Sequence, residues 1–119
     1  MRDFVRAMKA LSDETRLRIL NLLLERECCV CEVMQALDIS QTRASRNLGA
    51  LYDAGFLKLR RNGLWSLYSI DQEGMKPYFA DLVKAVSEEL MDSEVVKQDR
   101  KRLKKAVRAG PNCARKQGG

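Results

Sequence analysis

Three of the four cysteines of the chain, Cys28, Cys29 and Cys31, fall in the run Glu27-Cys28-Cys29-Val30-Cys31-Glu32; the fourth is Cys113. A lone buried cysteine is a small hydrophobe, but three within four residues form a donor set. Thiolates select soft ions over magnesium or calcium. A thiol with a pKa of about 8.5 becomes more acidic at a helix N-terminus, where this run is expected to lie, so an ion that bonds sulfur and displaces its proton is favoured. Other thiol chemistries fit less well. A disulfide framework is not expected under reducing cytosolic conditions. The C-x-x-C spacing of Cys28 to Cys31 lacks the βαβ setting of a thioredoxin-type site. A cysteine nucleophile wants a base such as histidine, and the chain has none, so no enzyme is expected. Geometry adds a condition. On a regular helix Cys28 and Cys31 share a side, whereas Cys29 and Cys31 point about 200° apart. The three sulfurs meet only if the helix starts late or its first turn unwinds.

A second set of residues suits duplex DNA. With Ala44, Leu48 and Leu51 turned inward on a helix, Thr42, Arg43 and Arg46 face out, and Gln41 and Ser45 flank the helix start. Glutamine pairs in bidentate fashion with adenine and arginine with guanine, each contributing about 1–3 kcal/mol of discrimination. Ser40, or the amides it caps, suits a phosphate. Arg60 and Arg61, beside an Asn62-Gly63 pair, suit phosphates or a minor groove. The candidate DNA contacts are therefore Ser40, Gln41, Thr42, Arg43, Ser45, Arg46 and Asn47 on the helix, with Arg60 and Arg61 on a hairpin.

These residues need a scaffold. Phe4, Met8 and Leu11 fall at the spacing of one helical face, predicting a helix over 3–11. Ser12 is the expected cap of a central helix whose apolar face is Leu17, Ile19, Leu20, Leu23 and Leu24. Val30, Val33, Met34 and Leu37 predict a third helix from about Cys29 to Leu37, broken at Asp38-Ile39. Ser40 then caps a fourth over 41–53, and Gly55 stops it. Segments 56–61 and 64–70 read as strands joined by Asn62-Gly63 in a type I′ turn. A long helix is expected over 75–91 with Pro77 in its first turn. Val96, Leu103 and Val107 hint at a basic helix beyond it, and 112–119 reads as disordered. The pattern predicts a mainly α fold with a small β-hairpin wing, a winged helix-turn-helix, with residues 1–92 as the DNA-binding domain, to which the family resemblance below adds dimerisation, and 93–119 as a basic extension, partly helical or disordered.

Length and charge agree. The chain of 119 residues is one domain's worth. Its net charge of +6 is uneven: residues 97–119 carry +8 and residues 40–65 carry +4. Basic segments on an otherwise slightly acidic body suggest a polyanion partner. No apolar run reaches the roughly 20 residues of a membrane span, and the N-terminus lacks signal-peptide features, so a cytoplasmic protein without membrane contact is expected.

Ser40-Gln41-Thr42-Arg43-Ala44-Ser45-Arg46-Asn47-Leu48, the following Leu51-Tyr52-Asp53-Ala54-Gly55-Phe56-Leu57 and the opening Ala10-Leu11-Ser12-Asp13-Glu14-Thr15-Arg16-Leu17 resemble the ArsR/SmtB family of metal-sensing repressors. The resemblance covers about residues 5–90. It implies a homodimer formed through the first and last helices of that span. Family members usually carry Pro or Ser near Thr42 and His at Asn47, departures that bear on the operator sequence. The run from Glu27 to Val33 resembles the Glu-Leu-Cys-Val-Cys-Asp-Leu box of arsenic- and antimony-responsive members. Cys29 and Cys31 match its two cysteines, the family's third falls at Met34, and Cys28 is the choice here for the third sulfur. The implied protein is a repressor that needs no cofactor to bind its operator and leaves it when As(III) or Sb(III) binds Cys28, Cys29 and Cys31. A cadmium/lead sensor of the family adds cysteines from an N-terminal extension, for which this chain starts too close to the box. A cadmium, lead or zinc sensor with Cys113 as a fourth, tetrahedral ligand, and a thiol-redox switch, are the alternatives.

Overall fold

The structure is a computed structural model that describes residues 1–108. Cys113 and the predicted disordered end lie outside the described residues. Six helices and one hairpin follow in the order α1 (Arg2–Leu11), α2 (Glu14–Glu25), α3 (Val30–Leu37), α4 (Gln41–Asp53), β1 (Leu57–Asn62), β2 (Trp65–Ile70), α5 (Pro77–Leu90) and α6 (Glu94–Lys105). This is the mainly α winged helix-turn-helix expected from the pattern.

The core forms around α2, whose Ile19, Leu20, Leu22 and Leu23 are buried and which touches the other helices and β2. Leu22 escaped the predicted stripe because α6 covers a further side of this helix. Two local expectations shift. Asp13, not Ser12, caps α2: its carboxylate accepts from Arg16 N at 3.0 Å, while Ser12 Oγ donates back to Met8 O of α1. Serine and aspartate cap equally well, so the register of the chain decides. In α1 the buried residues are Ala7 and Ala10, and Phe4 and Met8 are 44% and 43% exposed. The small side chains let α1 lie close on α2, which turns the bulky ones outward.

The tight connection of α3 to α4 rests on Asp38, in the left-handed region at φ 56°, the one non-glycine residue with positive φ among the described residues. Aspartate tolerates that conformation better than most side chains. Gly55 (φ 98°) ends the α4 turn, and a Cβ there would lie 2.9 Å from the Phe79 ring, which itself stacks on Phe56 at 4.6 Å. The hairpin is antiparallel, with Asn62 opposite Trp65, so the turn residues are Gly63 and Leu64 rather than Asn62 and Gly63. Positive φ at Gly63 without positive φ at Leu64 corresponds to a type II′ turn, which asks for glycine only at its first central position.

Pro77 opens α5 as predicted, and α6 is a separate helix capped by Ser93, whose Oγ accepts from Val96 N. It docks on α3 and α2 through buried Val96 and Leu103. Its Asp99, 1% exposed, bridges Arg18 of α2 (2.8 and 2.9 Å) and Arg102 (2.9 Å), and Arg102 Nε donates to Ala36 O of α3.

Candidate functional site

Helix α4 is capped by Ser40, whose Oγ accepts from Arg43 N at 3.2 Å. Ala44, Leu48 and Leu51 are fully buried, which fixes the rotation of the helix and leaves Gln41, Thr42, Arg43 and Arg46 exposed with Ser45 half-buried. Arg43 Nη2 donates to Thr15 Oγ1 of α2 at 2.8 Å, so its guanidinium leans on the scaffold. Asn47 lies inside, 6% exposed: its Oδ1 accepts from Arg16 Nη1 at 3.1 Å and its Nδ2 donates to Arg43 O at 2.9 Å. Arg16 also donates to the Ala10 and Lys9 carbonyls, tying the end of α1, the start of α2 and the middle of α4 together. Sequence reading missed this role, because nothing in the spacing of Arg16 and Asn47 pairs residues 31 positions apart.

On the wing, Arg61 Nη1 reaches Ser66 Oγ at 3.4 Å, and Arg60 forms a two-pronged ion pair with Glu27, its Nε 2.9 Å from Oε2. Both partners are substantially exposed, and exposed pairs contribute about 0–1 kcal/mol.

Cys28 sits next to that glutamate. Its backbone exchanges two hydrogen bonds with Tyr68 of β2 (3.0 and 2.8 Å), an isolated antiparallel bridge on the edge of β2 away from β1. Cys29 is the N-cap of α3, and Cys31 lies in the first turn. The helix thus starts late, with Cys28 and Cys29 extended ahead of it. The three sulfurs still do not converge on one point: among the described residues no group of three or more Cys, Asp and Glu side chains is arranged to hold a metal ion. Exposures of Cys28, Cys29 and Cys31 are 0%, 4% and 1%. Burial reverses the expected acidity at Cys28 and Cys29. It pushes Cys28 up to about 12 and raises Cys29 despite the amides of Glu32 and Cys31 directed at the Cys29 thiol. The helix-end effect is real but smaller than the loss of water around sulfur.

Glu32 organises this segment and escaped the sequence reading. Its Oε1 accepts from Cys29 N at 3.0 Å, and its two oxygens are held by Arg26 (2.8 Å) and Arg108 (3.1 Å). Burial pushes its carboxyl upward, but the Cys29 amide and the two guanidiniums outweigh it and hold the group below its ordinary 4.5. Cys31 Sγ accepts from Gln35 Nε2 at 3.2 Å.

Residues 13–58 match the family described as bacterial regulatory protein, arsR family. The chain is 46% identical over 66 residues to the arsenic resistance transcriptional regulator ArsR1 of Pseudomonas putida (55% of this chain, 52% of that one). It is 41% identical over 75 residues to a cadmium resistance transcriptional regulatory protein CadC homolog of Staphylococcus aureus (62% of each chain). Over 74 residues it is 32% identical to the arsenical resistance operon repressor of Bacillus subtilis (61% of this chain, 70% of that one). The chain belongs to the arsR family. This arsR-family chain also superposes on the homodimeric winged helix-turn-helix DNA-binding domain from Mycobacterium bovis with a TM-score of 0.65 at 32% identity, covering 78% of this chain and 82% of that one. The family is one of regulatory proteins rather than enzymes. The chain spans about half to two thirds of the length of the first curated relatives it matches.

Proposed function

We propose that this arsR-family protein is a homodimeric, cytoplasmic transcriptional repressor that releases its operator when As(III) or Sb(III) is captured by Cys28, Cys29 and Cys31. Gln41, Thr42, Arg43, Ser45 and Arg46 read the major groove. Ser40, Arg60 and Arg61 meet phosphates, with Arg60 exchanging Glu27 for the duplex. Asn47 positions the helix from inside. Residues 1–92 form the DNA-binding and dimerisation unit, and 93–119 form the basic extension.

One observation carries the reading. The thiol segment is hydrogen-bonded into the wing through Cys28 and Tyr68, and it caps the helix that leads into α4. A ligand that draws the sulfurs together must pull on both DNA-facing parts. Thiols are the right donors for a soft, thiophilic ion, and the convergence they lack in the present conformation is the change that would be felt at the duplex. A ligand shifts an equilibrium only by its differential affinity for two states. A coupling of about 1–3 kcal/mol is usual, and it obliges DNA to weaken the ion by the same factor. Support for arsenic comes from the relatives named for arsenic resistance.

The test is operator binding followed by fluorescence anisotropy while arsenite, antimonite, cadmium or zinc is added, on the native chain and on single Cys→Ser variants. Arsenite should release the operator at least fivefold more readily from the native chain than from C28S, C29S or C31S. An operator complex undisturbed by saturating arsenite and antimonite refutes the proposal. A second reading, a cadmium, lead or zinc sensor, is favoured by the likeness to the cadmium resistance regulator. It predicts that C113S abolishes the response, whereas the arsenic reading predicts no change.

A further inference from the structure

The three buried thiols cannot meet any ion until something moves, and the structure identifies the cover. Helix α6 runs antiparallel along α3 toward its cysteine end. Asp99 pairs with Arg18, which also reaches Leu37 O; Arg102 bonds Ala36 O; Val107 meets Gln35; and Arg108 meets Glu32. The direct contacts thus step from residue 36 back to residue 32 of α3 as the chain advances from 102 to 108. At the far end Gln35 joins two partners. Its Nε2 donates to Cys31 Sγ at 3.2 Å and to Val107 O at 2.7 Å, while its Oε1 accepts from Val107 N at 3.1 Å. The Arg108 guanidinium lies 5.8 Å over the Trp65 ring of the wing.

We propose that α6 with the strap Ala106–Arg108 is a lid in cis over the cysteine segment, latched by Arg108 on Glu32 and by Gln35 between Val107 and the Cys31 sulfur, and that it controls the entry of thiol-binding ions. The latch residues and the thiols share partners. Glu32 holds both the Cys29 amide and Arg108, and Gln35 holds both Cys31 and Val107. Gln35 Nε2 also donates to Cys31 O at 3.1 Å, so an ion on sulfur takes one of the amide's three acceptors and disturbs the side chain that holds Val107, while a lifted strap frees Gln35 to turn away from that sulfur. Lid opening and ion capture are therefore mutually favourable. The bonds at the Arg108 end are few and partly exposed, the usual mark of a segment that opens below the global unfolding free energy. The use of the lid for induction rests on the proposed repressor reading; the lid itself does not.

The experiment measures thiol modification by Ellman's reagent on the full-length protein without DNA or metal, in a C113S background so that only the clustered thiols report. Modification of the parent should reach a plateau rate at high reagent, set by opening. Arg108→Ala, which touches no cysteine, should raise that rate roughly tenfold, the usual consequence of losing a hydrogen bond to a charged group. Gln35→Ala should raise it severalfold, and Lys76→Ala, which breaks a remote ion pair with Asp3, should leave it unchanged. Equal rates in parent and Arg108→Ala, with unchanged far-UV circular dichroism, overturn the lid. Should Arg108→Ala fail to fold, native-state hydrogen exchange of the parent decides. Amides of α6 must exchange at least tenfold faster than those of α2, and exchange of both only through global unfolding overturns the proposal. Both readouts omit DNA and arsenite, so a lid that opens beside an operator that ignores arsenite separates this inference from the repressor reading.

Discussion

Gln41 and Asn47 lie less than two turns apart on α4, yet one is exposed and the other buried, and substitution separates their proposed roles. Gln41 is exposed and makes no side-chain hydrogen bond among the described residues. Gln41→Ala should leave urea-denaturation stability within about 0.5 kcal/mol and weaken operator binding by about 1–3 kcal/mol, read by denaturation and anisotropy. Asn47 is buried and satisfied through Arg16 and Arg43. Asn47→Ala leaves the Arg16 guanidinium short of an acceptor, and the unfolding midpoint should fall with a loss of about 1–3 kcal/mol. The polar type of Asn47 made it look like a DNA contact. Its inward position follows from the phase of Ala44, Leu48 and Leu51, since residues 44, 47, 48 and 51 share one face of a helix. The same scale holds the thiol error. Proximity to a helix end was legible in the sequence; the depth of Cys28 was not, because the backbone partner that holds it in place, Tyr68 of β2, lies 40 positions along the chain.

At the scale of elements, the N-terminus of α3 is held by Glu32, and its titration gives a pH dependence with a definite sign. The folded protein holds this carboxyl below 4.5, so it binds fewer protons than the unfolded chain near that pH. The stability it contributes is present above 4.5 and is lost as pH falls through the lower folded value. Glu32→Gln should therefore flatten the acid limb of the thermal-melting profile below pH 4.5, and a limb as steep as the parent's counts against this assignment. A second element-level prediction concerns the corner between α4 and the wing. Gly55→Ala meets both a left-handed backbone and the Phe79 ring, so a melting temperature lowered by more than about 5 °C is expected, in line with a loss above roughly 1 kcal/mol in a domain of this size. The helix succession, the Ser40 cap, the glycine corner and the hairpin were legible because each is written locally in periodicity, cap and turn residues. The hairpin register slipped by one because Asn-Gly and Gly-Leu both satisfy a two-residue turn, and only pairing across the strands chooses. The docking of α6 was illegible: its basic surface dominated the pattern, while its buried Asp99 read as one acid among many bases.

For the whole molecule, the face of α1 carrying Phe4, Val5 and Met8 is 41–44% exposed in the single chain. Scattered exposed apolar residues are ordinary, but a contiguous apolar face usually marks an interaction site. This face lies beside α5, where Phe4 packs edge-on against Tyr78 at 5.2 Å, so α1 and α5 present one continuous surface. The alanines that bury α1 against α2 leave these larger side chains no inward alternative, so the exposure follows from the packing of the helix and not from a loose fit. In the proposed homodimer, a second copy covering that surface would set two α4 helices on one duplex, as a near-palindromic operator requires of a symmetric dimer. Met8→Glu places a charge in the middle of the face without touching Ala7 or Ala10. Sedimentation should then show a monomer at concentrations where the parent is a dimer, with the helical circular dichroism retained and operator affinity reduced at least tenfold. A Met8→Glu protein that still sediments as a dimer would move the interface off α1, and with it the spacing of the two half-sites on DNA.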